Sequence, residues 1–527
     1  MTLRLLACGE RALLVECLSL AAATDLRLRL TGPSRPAALE DAVLGARSVL
    51  VVATAASRLN ELRAVVQRLG GPQPLGDPDT AETDDGVEIT VDYAGADLDE
   101  VARLTGLTTE EVVNAHTGTT WRVGFAGFAP GFAYLVGGDP RLRVPRRATP
   151  RVRIPAGSVA LADGFSGIYP RSSPGGWQVI GTTDTPLWDL TRDPPALLTP
   201  GREVRFAARR HGERAHPTGL SRPRPPLPQP PQAESPRTGP PYAELEVLAS
   251  PRPVLVQDAG RPGLSHLGVS PSGAADHAAY QLGARLLGQA GDRAALEIVL
   301  GELVVRAHGS LTAALTGAAL PAEVDGRAVG HGAPFLVRDG QVLRLGRPAQ
   351  GLRTYLSVRG GIAVPPVLGS RSRDTLAALG PEPVTPGDRL PVGWSDAWPT
   401  VDVAPVAPLP TGVVALRATW GPDSDRLDRR ELLCAQWTVA PDSDRVALRL
   451  ARGGGSRLGS AFADTTEVPP AGIVRGAIQL PPSGLPVVFL DDHPVTGGYP
   501  VVAVLDAASC DRAAQLRPGA NVLLTVT

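Results

Sequence analysis

The basic residues of this chain set the first limit on its chemistry. All 52 of them are arginine, so the chain offers no Walker-A lysine, no Schiff-base lysine and no biotinyl-lysine. A phosphate or carboxylate must therefore be held by forked guanidinium groups and backbone N–H groups. The candidate clamps are Arg146, Arg151, Arg261 and Arg371, and the candidate N–H donors lie in the Gly-rich turns Ser173–Gly176 and Thr496–Gly498.

Other ionisable residues are candidates for acid–base or ion-binding chemistry. His116 lies near the end of a predicted helix, where it is either an acid–base catalyst or a partner of the C-terminal helix dipole. Asp258 and Asp276 are candidates to hold Mg²⁺ or to orient an arginine, although Asp258 with Arg261 also fits a local ion pair. Glu297 stands in an apolar strand, where burial requires a partner, so it is either functional or paired with an arginine.

The composition predicts that short strands position these residues. The chain has 527 residues, 43% of them hydrophobic but only 4% aromatic, with 59 glycines and 53 prolines. That mixture favours a mainly β protein with many tight turns, and the length favours three or four domains. The net charge of -1 gives no support to a nucleic-acid or acidic-membrane partner.

Cysteine usage and hydropathy predict a cytoplasmic location. The four cysteines are scattered without CxxC spacing, which argues against a disulfide framework or a zinc site. The apolar stretch Ala12–Ala23 is interrupted by Glu16, so it reads as a strand followed by a helix and not as a signal peptide. No apolar run approaches the roughly 20 residues of a membrane span.

The N-terminal half reads as a small α+β unit followed by a barrel. Strands are predicted at Ala12–Cys17 and Ser48–Val52 and a helix at Leu59–Leu69. Two short helices follow, at Asp97–Leu107 and Thr108–Thr117, each opening with the spacing of a capping box. A DNA-reading helix-turn-helix is the less favoured interpretation of this pair, because the flanks are β-rich and not basic. Strand and turn signals then fill 121–206.

A Pro-rich stretch at 216–241 separates this half from a second β-rich body. It reads as an extended spacer. The second body has one clear predicted helix, Ala274–Leu287, and a further Pro-rich stretch at 398–410 that divides it into two lobes. The predicted domains are 1–84, 85–212, a linker at 213–243, 244–400 and 401–527.

A faint internal repeat links the two bodies. The segment Gly157–Leu161 resembles Gly476–Leu480, and each is followed by a Tyr-Pro pair, at Tyr169 and at Tyr499. The repeat suggests related barrels built twice.

Both bodies carry motifs of a known family. The first body contains Gly127–Leu135, Asp139–Leu142, Pro145–Arg147, Ile154–Val159, Gly167–Pro170 and Ser173–Trp177. In this order the motifs resemble allophanate hydrolase subunit 1, also named the B-type subunit of 5-oxoprolinase, and the sensor-kinase inhibitor of sporulating bacteria. The second body resembles allophanate hydrolase subunit 2, or the C-type subunit of 5-oxoprolinase, through Val256–Arg261, Ser272–Asp276, Leu296–Glu297, Tyr355–Gly361, Gly369–Asp374, Ser443–Arg445, Gly476–Gln479 and Thr496–Pro500.

The resemblance implies cyclophilin-like β-barrels and a function. The expected function is that of fused B and C components of ATP-dependent 5-oxoprolinase, which activate the lactam, by phosphorylation, for hydrolysis to L-glutamate with a separate A-type subunit. ATP and Mg²⁺ are the expected cofactors, with no covalent biotin on this chain, and a homo-oligomer is allowed. The alternatives are a biotin-dependent carboxyltransferase acting on urea or a similar amide and a sensor histidine kinase inhibitor.

Residue types and resemblance together define the candidate site. The catalytic candidates are His116, Asp258, Arg261 and His493. The candidates for binding substrate or nucleotide are Pro130, Gly131, Phe132, Arg146, Arg151, Ser158, Tyr169, Ser173, Gly175, Gly176, Ser272, Asp276, Arg371, Gln479, Thr496, Gly497, Gly498 and Tyr499. No resident metal-ligand set is assigned.

Each candidate has a structural alternative. Many of the glycines are explained by turns that need positive φ. The aromatic residues Phe128, Phe132, Tyr134 and Trp177 fit a barrel core as well as a substrate wall. His493-Pro494-Val495-Thr496 departs from the Gln-Thr pair that the family commonly shows in this turn.

Overall fold

The computed structural model describes residues 4–69, 86–147, 149, 151–209, 243–406, 408–427, 429–452 and 468–527. The predicted linker at 213–243 lies, except for Ala243, outside these ranges. Within them the protein is mainly β with a small N-terminal α+β unit, as the sequence predicts. No helix of the described residues is long and apolar enough to cross a membrane.

The N-terminal unit is a four-stranded antiparallel sheet with two helices. Its strands are β1 (Arg4–Ala7), β2 (Ala12–Glu16), β3 (Leu39–Leu44) and β4 (Ser48–Ala53), in the order β1-β2-β4-β3, and its helices are α1 (Leu20–Thr31) and α2 (Leu59–Leu69). The predicted strands and the helix Leu59–Leu69 are confirmed. The apolar stretch from Ala12 is a strand followed by a helix, because its apolar residues fill the core between sheet and helices.

The next unit, called barrel 1, is a seven-stranded sheet that closes on itself. Its elements are β5 (Val87–Val91), α3 (Leu98–Thr105), α4 (Thr109–Thr117), β6 (Trp121–Ala126), β7 (Ala133–Val136), β8 (Arg151–Ile154), β9 (Ser158–Ala162), β10 (Phe165–Ile168), β11 (Ser173–Gly175), β12 (Gln178–Thr182) and β13 (Glu203–Ala208). The order is β12-β9-β10-β7-β6-β13-β5, and a bridge between Asp92 and Thr182 joins the two edges. Strands β8 and β11 form a separate ribbon.

The two predicted capping boxes have different outcomes. Thr108 and Glu111 form the reciprocal box at the start of α4. The box predicted for Asp97 and Glu100 is wrong, because the Asp97 side chain makes no cap hydrogen bond. Its carboxylate instead binds two arginines, and Glu100 pairs with Arg103.

The first lobe of the second body packs two sheets around one apolar core. Its elements are β14 (Ala243–Ala249), β15 (Val254–Gln257), α5 (His277–Leu286), β16 (Ala295–Val299), β17 (Val304–His308), β18 (Leu311–Gly317), β19 (Ala322–Val324), β20 (Arg327–Ala328), β21 (Pro334–Val337), β22 (Val342–Leu345), β23 (Arg353–Val358) and β24 (Arg389–Val392). One sheet has the order β20-β19-β22-β17-β14-β24, the other β15-β16-β23-β18-β21. The predicted helix is α5, with Asp276 as its N-cap.

The second lobe is a closed barrel, called barrel 2. Its elements are β25 (Val413–Trp420), α6 (Arg429–Cys434), β26 (Gln436–Val439), β27 (Ala447–Arg452), β28 (Ala471–Gly472), β29 (Ala477–Gln479), β30 (Val487–Phe489), β31 (Thr496–Gly497), β32 (Val501–Leu505), α7 (Ala507–Ala514) and β33 (Asn521–Val526). The closed order is β25-β32-β29-β30-β27-β26-β33, and β28 and β31 form a ribbon. The short helices α6 and α7 were not predicted.

The two barrels share one topology. Counted within each barrel, both have the cyclic strand order 1-6-4-5-3-2-7, with the first and last strands parallel. Both also insert a ribbon strand after the third and the fifth barrel strands. The predicted match of Gly157–Leu161 with Gly476–Leu480 falls on the two fourth strands, each opened by a glycine at positive φ.

The second half of the predicted repeat is wrong. Tyr169 follows the fifth strand of barrel 1, whereas Tyr499 precedes the sixth strand of barrel 2. The Tyr-Pro pairs therefore occupy different corners of the two barrels.

The two halves of the chain pack against each other. Apolar side chains of the N-terminal sheet and of barrel 2 form a joint core that includes Leu14, Leu50, Ile473 and Val504. Backbone hydrogen bonds cross the same boundary, from Ala46 N to Pro470 O at 2.8 Å. A surface that would be open in either half alone is therefore closed in the fusion.

Candidate functional site

The turn between β6 and β7 is a point where barrel 1 contacts the second half of the chain. Phe128 and Gly131 both have positive φ, of 62° and 77°, which bends the chain sharply. The Phe128 N–H donates to the hydroxyl of Thr496 at 3.2 Å, across 368 residues of sequence. Gly127 is required here, because a Cβ would lie 2.1 Å from that hydroxyl. The turn thus binds one specific side chain of barrel 2.

The opposing element is the turn that leads into β32. Thr496 is 1% exposed, and its side chain opposes the rise that burial causes in the pKa of Tyr134. Gln479 donates to the carbonyl of Tyr499 at 3.0 Å and lies so close to Gly497 that a Cβ there would be 2.6 Å from its Nε2 atom. The contact of Thr496 with Phe128 holds this turn against barrel 1, and the contacts of Gln479 hold it within barrel 2.

Arg146 lies over this turn. A Cβ on Gly498 would be 2.9 Å from an Nη atom of Arg146, so the missing side chain makes room for the guanidinium group. Burial raises the pKa of the Tyr134 and Tyr169 hydroxyls, and the positive charge of Arg146 opposes that rise at both. The guanidinium group therefore lies within electrostatic range of two buried phenols and a glycine turn.

The neighbouring arginines hold the loop of Arg146 in place. The buried carboxylate of Asp97 accepts two hydrogen bonds from Arg151, at 2.6 and 2.8 Å, and one from Arg147 at 2.5 Å. Burial opposes ionisation of Asp97, but the two arginines and the Val179 N–H together lower its pKa. Arg151 thus pairs with Asp97, so its part in the site is to position the loop.

Four aromatic side chains pack together near Arg146. Phe132, Tyr134, Tyr169 and Trp177 contact one another with ring centroids 5.2–5.4 Å apart. All four are at most 5% exposed. A Cβ on Gly175 would be 2.4 Å from the Tyr169 hydroxyl, so the ribbon needs a glycine at that position.

These contacts define one group of residues, which we call the inter-barrel cluster. It consists of Gly127, Phe128, Phe132, Tyr134, Arg146, Tyr169, Gly175, Trp177, Gln479, Thr496, Gly497, Gly498 and Tyr499. Candidates that lie beside it are Pro130 and Gly131 in the β6–β7 turn, Ser158 at the start of β9, Ser173 in β11, and Gly176, whose carbonyl accepts from Arg147. Residues predicted separately in the two bodies therefore meet at one place.

His116 lies elsewhere, inside barrel 1. It is fully buried, its ring nitrogens contact the Tyr93 hydroxyl at 2.7 Å and the Ser166 hydroxyl at 2.9 Å, and its ring packs on Trp121 and Phe206. Burial lowers its pKa to about 3. A neutral histidine with both nitrogens occupied favours the structural alternative over acid–base catalysis.

Asp258 organises two loops of the first lobe. Its carboxylate accepts from the hydroxyls of Ser370 and Ser372, at 2.6 and 2.5 Å, and from the backbone N–H groups of Arg371 and Gly260. The Arg371 side chain donates to the carbonyl of Val364 at 2.8 Å. These filled partners favour a structural role for both residues.

Arg261 is buried beside Asp258 but makes no ion pair with it. Its Nη2 atom donates to the Ser372 carbonyl, while its Nε and Nη1 atoms are buried without a partner in the described part of the chain. Burial lowers its pKa, against the attraction of Asp374, Asp258 and Asp492. Of the first-lobe candidates it keeps the most unused hydrogen-bonding capacity.

Two further candidates, Asp276 and Ser272, form hydrogen bonds between the first lobe and barrel 2. Asp276 caps α5 and accepts from Gln515 at 2.7 Å. Ser272 donates to Asp492 at 2.6 Å. Among the described residues no three His, Cys, Asp or Glu side chains come together as a metal site, so Asp258 and Asp276 do not meet in one.

Glu297 illustrates a role that the sequence left open. It is fully buried, pairs with Arg353 at 3.3 Å and with Arg445, and accepts from the Tyr355 hydroxyl at 2.7 Å. Arg445 also binds Asp492. The network favours the structural alternative, a buried carboxylate with arginine partners. Asp97 and Arg147, which hold the Arg146 loop, were not predicted as site residues, although the Arg146-Arg147 pair was a signal for them.

The geometry defines a class of protein: a two-barrel β protein with a polar site where the barrels meet. Two protein-family models match the sequence. The model described as carboxyltransferase domain, subdomain C and D, matches residues 3–198, and the model described as carboxyltransferase domain, subdomain A and B, matches residues 267–525. The crystal structure of TTHA0988 superimposes with a TM-score of 0.81 at 32% identity, over 98% of this chain and 99% of that chain. The overall arrangement of the two halves is therefore shared with a solved structure.

Sequence relatives match the two halves separately. The C-type subunit of 5-oxoprolinase from Escherichia coli strain K12 is 35% identical over 283 residues, which are 52% of this chain and 88% of the relative. The B-type subunit from Escherichia coli O157:H7 is 46% identical over 129 residues, 24% of this chain and 59% of the relative. Urea amidolyase of Saccharomyces cerevisiae is 28% identical over 303 residues, 53% of this chain but only 16% of the relative. The chain belongs to the allophanate hydrolase subunit 1/subunit 2 family, with both subunits fused in one polypeptide.

Proposed function

We propose that this chain is the fused B and C component of an ATP-dependent 5-oxoprolinase. The observation that carries the proposal is the inter-barrel cluster. Its two sides come from the halves that match the B-type and the C-type subunits, and they are joined by the contact of Phe128 with Thr496. A site shared by two subunits explains why a fusion keeps both.

The cluster supplies what activation of a lactam requires. A lactam carbonyl is a poor electrophile, and phosphorylating its oxygen turns that oxygen into a leaving group. Such a transfer depends on aligning the reactants and neutralising charge. Arg146 offers a positive charge, and the Gly497–Gly498 turn, a candidate source of backbone N–H donors, lies beside it. In the proposal these groups hold the developing negative charge, while the buried phenols limit access of water.

Nucleotide and Mg²⁺ fit this chain only in part. The chain has no Walker-A lysine, and its described residues contain no group of three potential metal ligands. Mg²⁺ would then be held by nucleotide phosphates and by residues of an A-type subunit, which we expect as a separate partner. The product of the complete reaction would be L-glutamate.

The test is nucleotide turnover by the purified chain with candidate substrates. We expect ADP release that depends on 5-oxoproline and on an added A-type subunit, and that is unaffected by avidin. Turnover with urea that avidin abolishes would instead establish the second candidate, a biotin-dependent carboxyltransferase. That candidate is favoured by the urea amidolyase match and by the descriptions of the family models. No ADP release with either substrate, together with tight binding to a histidine kinase, would overturn both candidate functions.

A further inference from the structure

A cavity, separate from the inter-barrel cluster, lies where three units of the molecule meet. Its volume is about 270 Å³. The N-terminal unit contributes Arg11 and Val52, the first lobe Ser272, and barrel 2 Ile473 and His493. No residue of the inter-barrel cluster lines it. The cavity is therefore a distinct candidate site.

Most polar groups in the cavity wall already have partners. Arg475 donates to Asp491 at 3.1 Å and to Asp511 at 2.9 Å, and His277 contacts Asp491 at 2.8 Å. Asp41 accepts from the Ser265 hydroxyl at 2.8 Å. These groups need no ligand.

His493 is the exception. It is 5% exposed, and its Nδ1 atom contacts the Pro494 carbonyl at 2.9 Å. A carbonyl only accepts hydrogen bonds, so Nδ1 carries the proton and Nε2 keeps a lone pair. Burial lowers the pKa of the ring, which keeps it neutral. No donor to Nε2 is found within the described part of the chain, so an acceptor on a residue that lines the cavity is left without a protein partner.

The charge of the wall restricts what can fill the cavity. Four carboxylates, of Glu10, Glu40, Asp41 and Asp491, line it, against the two guanidinium groups of Arg11 and Arg475. An anion would meet a net negative wall and a lone pair, whereas a cation with N–H groups would be attracted by both. The rest of the lining is apolar and includes Val43, Ile473 and Val504.

We propose that this cavity binds a small primary ammonium ion with a branched aliphatic body, whose N–H donates to Nε2 of His493. The volume lies just below the roughly 300–1,000 Å³ of pockets for drug-sized ligands, so the ligand has the size of an amino acid or smaller. The walls come from three units, so the bound ion holds the N-terminal unit against both lobes. The site does not depend on the function proposed for the inter-barrel cluster.

Three probes of one shape test the chemistry on the full chain: isobutylammonium, isobutyramide and isobutyrate. Binding is measured by saturation-transfer NMR and by calorimetry. We expect isobutylammonium to bind with a Kd in about the millimolar range, since so few atoms supply little binding energy. It should bind at least about tenfold more tightly than isobutyrate. Equal or tighter binding of isobutyrate or isobutyramide, or no binding of any probe, would overturn the proposal.

Variants locate the binding. His493→Leu removes the acceptor and should weaken isobutylammonium binding about tenfold, whereas His493→Gln keeps an acceptor and should stay within about threefold. Val52→Phe fills the cavity and should abolish binding. The control is Val152→Phe on the ribbon of barrel 1, where the native side chain is 90% exposed. If Val52→Phe binds the probe like wild type, the ligand lies elsewhere and the proposal fails, even if His493→Leu does not fold.

Discussion

The two barrels share one pair of hydrogen bonds, which joins an aspartate after the first strand to the sixth strand. In barrel 1, Asp97 N donates to Val179 O at 2.9 Å, and Val179 N donates to the Asp97 carboxylate at 2.7 Å. In barrel 2, Asp423 N donates to Val501 O at 3.1 Å, and Val501 N to the Asp423 carboxylate at 2.9 Å. In each barrel the aspartate comes two residues after a closely packed glycine, Gly95 or Gly421, and performs the same structural task.

The charges around these two aspartates differ. Arg147 and Arg151 help to lower the pKa of Asp97, whereas burial raises the pKa of Asp423. The shared hydrogen bonds link the segment after the first strand to the sixth strand, and the added arginines in barrel 1 hold the loop of Arg146 in place. The comparison separates what the fold needs from what the inter-barrel cluster needs.

The largest expected effect falls on a feature that the barrels share. Trp121 and Trp437 are the first and second residues of the second strands of the two barrels. Both are nearly fully buried and donate to the carbonyl five residues earlier, at 3.1 and 3.3 Å. Replacing either by alanine should lower the free energy of unfolding by about 3–5 kcal/mol. Urea denaturation checks this. The control is Trp398→Ala, because Trp398 is 71% exposed. A small loss of unfolding free energy at either buried tryptophan would contradict the structural equivalence of the two residues.

The second prediction compares the stability lost on replacing the aspartate of each barrel by asparagine. Asp97→Asn should cost about 2 kcal/mol at pH 7, because hydrogen bonds to two charged groups are weakened. Asp423→Asn should cost less than about 0.5 kcal/mol, or stabilise, because it removes a carboxylate whose ionisation folding opposes. Equal losses in the two variants would contradict the assignment of a separate task to Asp97.

The pH dependence of the same pair has opposite signs. The folded pKa of Asp97 is depressed, so its contribution is present above its unfolded pKa of about 3.9 and is lost as the pH falls through the folded value. The cost of Asp97→Asn should therefore shrink as the pH falls below about 4. For Asp423 the folded pKa is raised, so its contribution is lost as the pH rises. Unfolding curves between acidic and neutral pH measure both, and parallel curves would refute the pKa directions.

The last stability prediction concerns His116. In barrel 2 the carbonyl that accepts the matching indole N–H belongs to Leu432, so barrels of this topology accept an aliphatic residue there. His116→Leu should lower the free energy of unfolding by about 1–2 kcal/mol, because the Tyr93 and Ser166 hydroxyls lose a partner. Turnover should stay within about threefold of wild type below the melting temperature. Loss of activity in a folded variant would restore His116 as a catalytic candidate.

Much of the fold was predictable because its signals are local. Strand alternation, the capping box of Thr108 and Glu111, and the glycine before each fourth strand depend on a few adjacent residues. Asp97 shows the limit: its spacing to Glu100 fits a cap, but two arginines 50 and 54 residues away compete for its carboxylate. The resemblance led to Thr496 and Arg146, yet their meeting across the barrel interface depends on packing that no local pattern encodes.

The most direct test of the central claim is a double-mutant cycle between the two halves. Arg146→Ala and Thr496→Val are assayed for 5-oxoproline-dependent ADP release with the A-type subunit, with Arg143→Ala as control, because the Arg143 side chain is 75% exposed. If both residues serve one site, each single variant should lose about 10²–10³-fold in kcat/KM, and the double variant little more. Wild-type turnover in both single variants, or losses that multiply in the double variant, would contradict a shared inter-barrel site.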